Sequence, residues 1–340
     1  MRTLMMGLAS TAGLIGFCLP TAYAEVISGS EINVVPEAKQ ISDILRQPEN
    51  RMDFATIKLT IDKMIDPSID INASLKQING IVTEVRAMAG NNPSSNAKLV
   101  ALKRYLYEKG PWNGYEAYQY DFDDPQGTKI KNKLLPNYLA SKKGNCVSMP
   151  LLFIILGQRL GIDVTASTAP LHLFVKYTDS DTSITYNLET TSGANPARDV
   201  WLRQQNPMTD EAIANGIYLQ KLTKRETAAV MASVLAEYFM QKQAHEKAIA
   251  VSDVVLTYYP KDVESMLRKG SAYARILKER FVSKYPMPSQ IPAGERGYFQ
   301  YLTEQNQFWY AKAEALGWRE PNQAVEANYV QAVSRAKSIH

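Results

Sequence analysis

Cysteine and histidine are scarce in this sequence of 340 residues, which contains two cysteines and three histidines. The histidines, His172, His245 and His340, lie far apart in sequence, and only Cys18 and Cys146 could join them. A zinc site built from Cys and His ligands is therefore not expected. We predict no metal and no cofactor for this protein.

An excess of charge of one sign is also lacking. Lys and Arg number 38 against 34 Asp and Glu, and the basic clusters are short and scattered. This balance excludes nucleic acid as an expected partner. The segment 110–127 holds Asp121, Asp123 and Asp124, but it lacks the ligand spacing and the closing Glu of an EF-hand, so we do not predict calcium binding.

The N-terminus has the pattern of a secretory signal peptide. Arg2 precedes an apolar stretch over residues 4–19, and Ala22-Tyr23-Ala24 then comes directly before Glu25. We predict a signal peptide over residues 1–24 and a bacterial periplasmic or secreted location. No later stretch is long and apolar enough to span a bilayer, so no membrane insertion is expected after cleavage.

Cleavage would make Cys146 the only thiol of the mature protein. An unpaired cysteine in an oxidising compartment is exposed to oxidation and to mixed disulfides. One interpretation is a buried cysteine that acts as a small apolar residue, and the other is a reactive one.

The residues around Cys146 favour the reactive interpretation. Apolar residues recur at helical spacing over 38–106, which predicts several amphipathic helices. Residues 147–160 are apolar almost all round, which predicts a buried helix that ends before Gly161. Cys146 then lies at a helix N-terminus, where free N–H groups and the helix dipole favour a thiolate.

Two alternating segments follow this helix. Residues 171–177 and 184–189 alternate apolar and polar side chains, and the polar segment 178–183 separates them. We predict a β-hairpin, with a further strand over 162–169.

The expected register of the hairpin places a carboxylate beside the only suitable histidine. If Tyr177 faces Ile184, then His172 lies directly opposite Glu189 on the same face of the sheet. A slip of two residues would place Asn187 opposite His172. We therefore predict a nucleophile–base–acid arrangement of Cys146, His172 and Glu189, with Asn187 as the alternative third member.

These segments also resemble a known family. "KKGNCVSMPLLFIILGQRLGID", "APLHLFVKY" and "YNLETTSG" are similar to the bacterial transglutaminase-like superfamily, most closely to its SirB-type branch with a tetratricopeptide-like tail. The resemblance implies a papain-like α+β core with N-terminal helices, in which a cysteine attacks an amide carbonyl. It places the nucleophile at Cys146, the base at His172 and the acid at Glu189, where Asp is usual. Many SirB-type members lack the cysteine, which is present here.

The backbone N–H of Cys146 is the simplest candidate donor to stabilise an oxyanion. Asn145 is either a second donor or a turn residue, and we favour the turn because Gly-Asn suits tight backbone geometry.

The C-terminal part of the chain has a different pattern. "LAEYFMQKQAHEKAIAVSDVVLTYYP" matches the tetratricopeptide pattern, and "RKGSAYARI" restarts it about one period later. We predict a transglutaminase-like domain over residues 25–220 and a helical tetratricopeptide-like region over 221–340. Fewer than three regular repeats do not stand alone, so this region is expected to pack against the first domain.

Two functions follow from the sequence. The first is a cysteine hydrolase or acyltransferase that acts on an amide of a protein or peptide through a thioester. The second is a catalytically inactive binding protein or scaffold of the cell envelope that holds a partner with its helical repeats. The sequence does not choose among a protease, a transglutaminase, a deamidase and a peptidoglycan amidase.

Overall fold

The computed structural model describes residues 35–320. The predicted signal peptide, residues 1–24, and the last part of the predicted repeat region, residues 321–340, lie outside the described residues. The helices are α1 Pro36–Leu45, α2 Phe54–Ile65, α3 Ile71–Ala89, α4 Ser95–Tyr107, α5 Leu135–Ser141, α6 Ser148–Leu160, α7 Asp199–Gln205, α8 Asp210–Ala214, α9 Lys224–Gln241, α10 His245–Tyr258, α11 Val263–Leu277 and α12 Arg296–Ala315. The strands are β1 Gln119–Tyr120, β2 Lys143–Gly144, β3 Asp163–Ala169, β4 His172–Thr178, β5 Thr185–Glu189 and β6 Asn195–Ala197.

The first four helices have the amphipathic character that their sequence predicts. Their apolar positions are buried, and side chains cap three of the four N-termini. Asp53, Asp70 and Ser94 each accept a hydrogen bond from a backbone N–H of the first turn, which satisfies a donor that the helix itself leaves free. Mixed helix and sheet is the fold class that was expected.

Helix α6 is buried on nearly every side, as its composition predicts. It packs closely on the sheet at Gly157, where a Cβ atom would lie 2.4 Å from a methyl carbon of Val164 on β3. Only a residue without a side chain allows this approach. The close packing of α6 on β3 holds the N-terminus of α6 in a defined position relative to the hairpin.

Strands β3, β4, β5 and β6 form one antiparallel sheet in that order. One face of β4 presents Leu173, Val175 and Tyr177 to the main core, where α6 also lies. The opposite face presents Phe174 to a second apolar cluster, which includes Leu202 of α7 and Ala212 of α8. Both faces of the sheet are therefore covered next to the first residue of β4, His172.

The predicted hairpin register is wrong by two residues. Tyr177 pairs with Tyr186 instead of Ile184, and Val175 pairs with Leu188. Asp179 takes the place that was predicted for Tyr177 opposite Ile184, since its N–H donates to the carbonyl of Ile184, and β5 begins at the next residue, Thr185. Because the shift is an even number of residues, each side chain stays on its predicted face.

Strands β1 and β2 are two residues each and were not predicted. They pair in parallel, Gln119 with Lys143 and Tyr120 with Gly144. Strands this short carry no periodic signal in a sequence. Their pairing places the segment after Tyr120 beside the chain that leads into Cys146.

The helices α9 to α12 pack successively against one another, and α9 also packs against α2 and β3. The main core includes residues from Ala38 to Tyr259, so α9 and α10 share it with the N-terminal helices. Packing of the C-terminal helices onto the rest of the chain was expected, because so few helices bury too little surface to fold alone.

Over residues 35–320, no helix has the length and the apolar character needed to cross a lipid bilayer.

Candidate active site

Cys146 lies in the turn that begins helix α6. The N–H of Met149 donates to the carbonyl of Asn145 (3.1 Å), and this helical bond extends the first turn back to Asn145. The side-chain oxygen of Asn145 accepts from the N–H groups of Val147 (3.0 Å) and Ser148 (3.1 Å). In return, the hydroxyl of Ser148 accepts from the N–H of Asn145 (3.0 Å). This reciprocal capping supports the turn role that was favoured for Asn145.

The capping leaves one backbone donor beside the sulfur. The N–H groups of Val147 and Ser148 are occupied by Asn145, whereas the N–H of Cys146 has no hydrogen-bond acceptor among residues 35–320. A free N–H at the first position of a helix can bind an anion, aided by the helix dipole.

His172 is the first residue of β4 and follows a two-residue turn. The register pairs Ala169 with His172, so Pro170 and Leu171 form the turn. The imidazole lies nearly parallel to the ring of the buried Phe174, with ring centroids 6.5 Å apart and an interplanar angle of 15°. Behind this ring, Phe174 packs in the apolar cluster that includes Leu202 of α7.

The structure brings Cys146, His172 and Glu189 together. Nε2 of His172 lies 2.6 Å from Oε2 of Glu189, and these side chains are only 11% and 5% exposed. The sulfur of half-buried Cys146 lies near enough to the imidazole to help raise the pKa of His172, and its S–H donates to the carbonyl of Leu171 (3.9 Å). Since Nε2 is bound to the carboxylate, Nδ1 is the nitrogen left for the sulfur.

The His172–Glu189 contact forms in a different way from the one predicted. Continued by one pair, the observed register places Glu189 beside Phe174, so His172 is its diagonal neighbour on the same face. Diagonal neighbours lie farther apart than directly opposed residues, and only long side chains reach across. Glu is one carbon longer than Asp and spans this distance.

Electrostatics favour the charged forms of both partners. Burial lowers the pKa of His172, but the carboxylate of Glu189 and the sulfur of Cys146 outweigh burial and raise this pKa to about 10. Burial likewise raises the pKa of Glu189, but the imidazolium and hydrogen bonds from Thr191 hold it below its ordinary value. The pair is therefore an imidazolium and a carboxylate at neutral pH.

Thr191 also binds the carboxylate of Glu189, and this residue was not identified from the sequence. Its N–H (3.0 Å) and its hydroxyl (2.6 Å) both donate to Oε1 of Glu189, so each carboxylate oxygen is hydrogen bonded. Glu189 caps the short helix Thr190–Ser192 through this contact. A Thr two residues after a strand-terminal acid is a capping pattern that could have indicated it.

Asn187, the alternative third member, is used elsewhere. It pairs with Lys176, and its side chain donates to the carbonyl of Ala197 (2.9 Å) and to the carboxylate of Asp199 (2.7 Å). These bonds hold β6 and the start of α7 against the sheet. Asn187 therefore does not contact His172.

Tyr107 is a further residue near the site that sequence reasoning missed. Its hydroxyl is buried, and no partner for it is found among residues 35–320. Burial and the nearby negative charge of Glu189 raise the pKa of this phenol, so it stays protonated. Its position at the end of α4 carried no signal in the sequence.

The arrangement supports proton transfer between a thiol and an imidazole whose charge a buried carboxylate stabilises. Within the described part of the chain, no group of three or more His, Cys, Asp or Glu side chains is arranged to hold a metal ion.

Comparisons with known proteins found similarity over part of the chain. Residues 72–233 match the family model of the transglutaminase-like superfamily. Two relatives, each described as "UPF0162 protein" and from Xylella fastidiosa strains Temecula1 and 9a5c, are both 21% identical to the chain over 215 residues. Those residues cover 62% of this chain and 73% of each relative. No solved structure matches the chain.

The matched region contains α6, the sheet and all three residues of the site. The chain therefore contains a transglutaminase-like domain, and Cys146, His172 and Glu189 lie within it.

Proposed function

We propose that this protein is a cysteine-dependent amide hydrolase or acyltransferase that acts on a protein or peptide through a thioester. The observation that carries the proposal is the position of the His172 imidazole, which lies 2.6 Å from the carboxylate of Glu189 and close enough to Cys146 for the sulfur to raise its pKa. The match to the transglutaminase-like superfamily supports it independently.

In the first half of the reaction, the sulfur of Cys146 attacks the amide carbonyl carbon and forms the C–S bond. The carbonyl π electrons move to oxygen, and the free N–H of Cys146 donates to the resulting oxyanion. As the C–N bond breaks, Nδ1 of His172 gives its proton to the leaving amine. The product is a thioester on Cys146.

In the second half, water or an amine attacks the thioester. His172 takes the proton of this nucleophile, the C–S bond breaks, and the thiolate of Cys146 is restored. Throughout both halves, Glu189 keeps the imidazole in one orientation and stabilises its charged form. Water would make the protein a hydrolase, and an amine would make it an acyltransferase.

The role of Cys146 can be tested through its reactivity with iodoacetamide near pH 6.5, followed by mass spectrometry of the labelled peptide. In the proposal, His172→Ala removes the base and the positive charge beside the sulfur and slows labelling by about tenfold or more. Circular dichroism verifies that the variant is folded.

A matched control exists in α10. Buried His245 also contacts a glutamate, with 3.1 Å between its Nε2 and Oε1 of Glu279, but it lies outside the site. His245→Ala should leave labelling unchanged. Labelling of Cys146 at the rate of an ordinary thiol, equally fast in His172→Ala, would contradict the enzyme and favour an inactive scaffold whose helical region binds a partner.

The reaction type can be tested with a glutamine-rich protein substrate. Release of ammonia without amine incorporation indicates deamidation, release of ammonia with incorporation of a fluorescent amine indicates acyl transfer, and new N-termini indicate proteolysis. Each of these activities should disappear in Cys146→Ala.

We also propose an assignment for the C-terminal helices α9 to α12. We assign them to a tetratricopeptide-like region of a SirB-type protein on the basis of "LAEYFMQKQAHEKAIAVSDVVLTYYP", and we propose residues 25–220 as the catalytic domain. We further propose that the protein is exported, which the pattern of residues 1–24 supports. Sequencing of the mature N-terminus should then begin at Glu25.

A further inference from the structure

The turn between β3 and β4 presents a bulky apolar side chain beside the thiol. The carbonyl oxygen of Leu171 lies 3.9 Å from the sulfur of Cys146. The Leu171 side chain is 65% exposed. Since Cα is about 2.4 Å from its own carbonyl oxygen, the side chain starts within about 6.5 Å of the sulfur.

Leu171 is an unfavourable choice for this position in the turn. Its φ angle is +56°, in the left-handed region that favours Gly or Asn. Pro170 suits the first central position of such a turn, because its ring holds φ near −65°, whereas the second central position calls for Gly or Asn. Gly or Asn at this position would therefore be more favourable for stability than Leu171, because either residue suits the backbone conformation better and exposes less apolar surface.

Strained residues in folded proteins cluster at functional sites, where the surrounding structure holds them in place. Leu171 directly precedes His172, and its carbonyl oxygen contacts the sulfur of Cys146, so its exposed side chain lies within reach of a substrate bound at the sulfur. We propose that Leu171 is a specificity-determining residue that contacts an alkyl or aromatic group next to the amide carbonyl of a peptide substrate. This inference rests on the proposed role of Cys146 as a nucleophile.

Two haloacetamides test the proposal without knowledge of the substrate. Iodoacetamide reports the reactivity of the sulfur, and N-hexyliodoacetamide adds an apolar chain that can lie on Leu171. In Leu171→Asn and Leu171→Gly, the ratio of the hexyl rate constant to the parent rate constant should fall about fivefold, which equals about 1 kcal/mol and the burial of one to two methylene groups. The iodoacetamide rate itself should stay within about twofold.

Ile184 provides the matched control, because it is also a large apolar residue and is 50% exposed. It precedes β5 at the opposite end of the hairpin from His172. Ile184→Asn should leave the ratio of the two rate constants unchanged. Both Leu171 variants should also unfold at the same or higher urea concentration, since they relieve the left-handed strain.

The outcomes separate this proposal from the one on which it rests. An unchanged ratio in the Leu171 variants, together with iodoacetamide labelling that depends on His172, would overturn the role of Leu171 and leave the nucleophile in place. An equal loss of both rates would also overturn it, because that result marks a general disturbance of the site. Labelling that is independent of His172 would remove both proposals.

Discussion

The carboxylate of Glu189 is the side chain whose removal should change the site most while the fold is kept. We consider Glu189→Gln, which retains the size of the side chain and removes its charge. The pKa of His172 is about 10, which is about 3.5 above the ordinary value of 6.5. Such a difference corresponds to about 5 kcal/mol in favour of the imidazolium.

Burial opposes this rise, and Glu189 is the larger of its two causes, ahead of Cys146. With Gln at position 189, burial still lowers the pKa of His172 while only Cys146 raises it. We therefore expect this pKa to fall by about 2 or more, which is a loss of about 3 kcal/mol. Solvent screening reduces this loss of about 3 kcal/mol only slightly, because the imidazole is only 11% exposed.

The direct assay is an NMR titration of the imidazole, with the His172 signal assigned by its absence in His172→Ala. A pKa of His172 in Glu189→Gln within 0.5 of the unaltered protein, on the order of 0.7 kcal/mol, would refute the reasoning. Glu279→Gln is the matched control, because it removes a carboxylate that contacts the other described histidine, His245, and it should leave the pKa of His172 unchanged.

Stability should follow the same titration. Because the folded-state pKa of His172 is raised, its contribution to stability is fully present below about pH 6.5 and is lost as the pH rises through about 10. Urea unfolding should therefore show that Glu189→Gln costs about 3 kcal/mol near pH 6 and clearly less above pH 10. An equal cost at both pH values would show that the charge of His172 is not the cause.

Four further variants test the surroundings of the site and the core. Tyr107→Phe removes a buried hydroxyl that has no partner among residues 35–320, so the free energy of unfolding in urea should stay unchanged or rise by about 1 kcal/mol. Its control is Tyr177→Phe, which removes a hydrogen bond to the hydroxyl of a serine and should lower the same free energy by about 1 kcal/mol. Gly127→Ala should cost about 1–2 kcal/mol by thermal unfolding, because φ is +59° and the new Cβ would lie 3.1 Å from the amide nitrogen of the capping asparagine. Lys58→Met leaves the fully buried Asp62 without its cation and should cost about 3–5 kcal/mol at pH 7, an effect that acid should reduce because burial raises the pKa of Asp62.

Much of the site could be predicted because local patterns carry it. The largely apolar stretch over 147–160 predicts a buried helix, and this places Cys146 at a helix start whatever the rest of the fold is. Alternation over 171–177 and 184–189 requires strands, and it assigns His172 and Glu189 to the same face.

The hairpin register and the further partners of Glu189 and Asn187 could not be predicted, because they depend on loop closure and on contacts between distant segments. The register depends on where the 178–184 loop closes, and the loop residues themselves carry no period. Thr191 binds Glu189 only because the chain turns immediately after β5, and Asn187 is bound instead by β6 and α7. The alternation of side chains along β5 would be the same whichever of these contacts formed.

The sequence by itself determined the helix that begins at the thiol, the hairpin, and the face shared by His172 and Glu189, since 3.6-residue and two-residue periods follow from backbone geometry alone. Only the tertiary structure decided that Glu189 reaches His172 along a diagonal, that Asn145 leaves the Cys146 N–H free, and that Leu171 stands exposed beside the sulfur. Those features arise where α6, the sheet and two turns pack together, and packing between distant segments has no signature in any one of them.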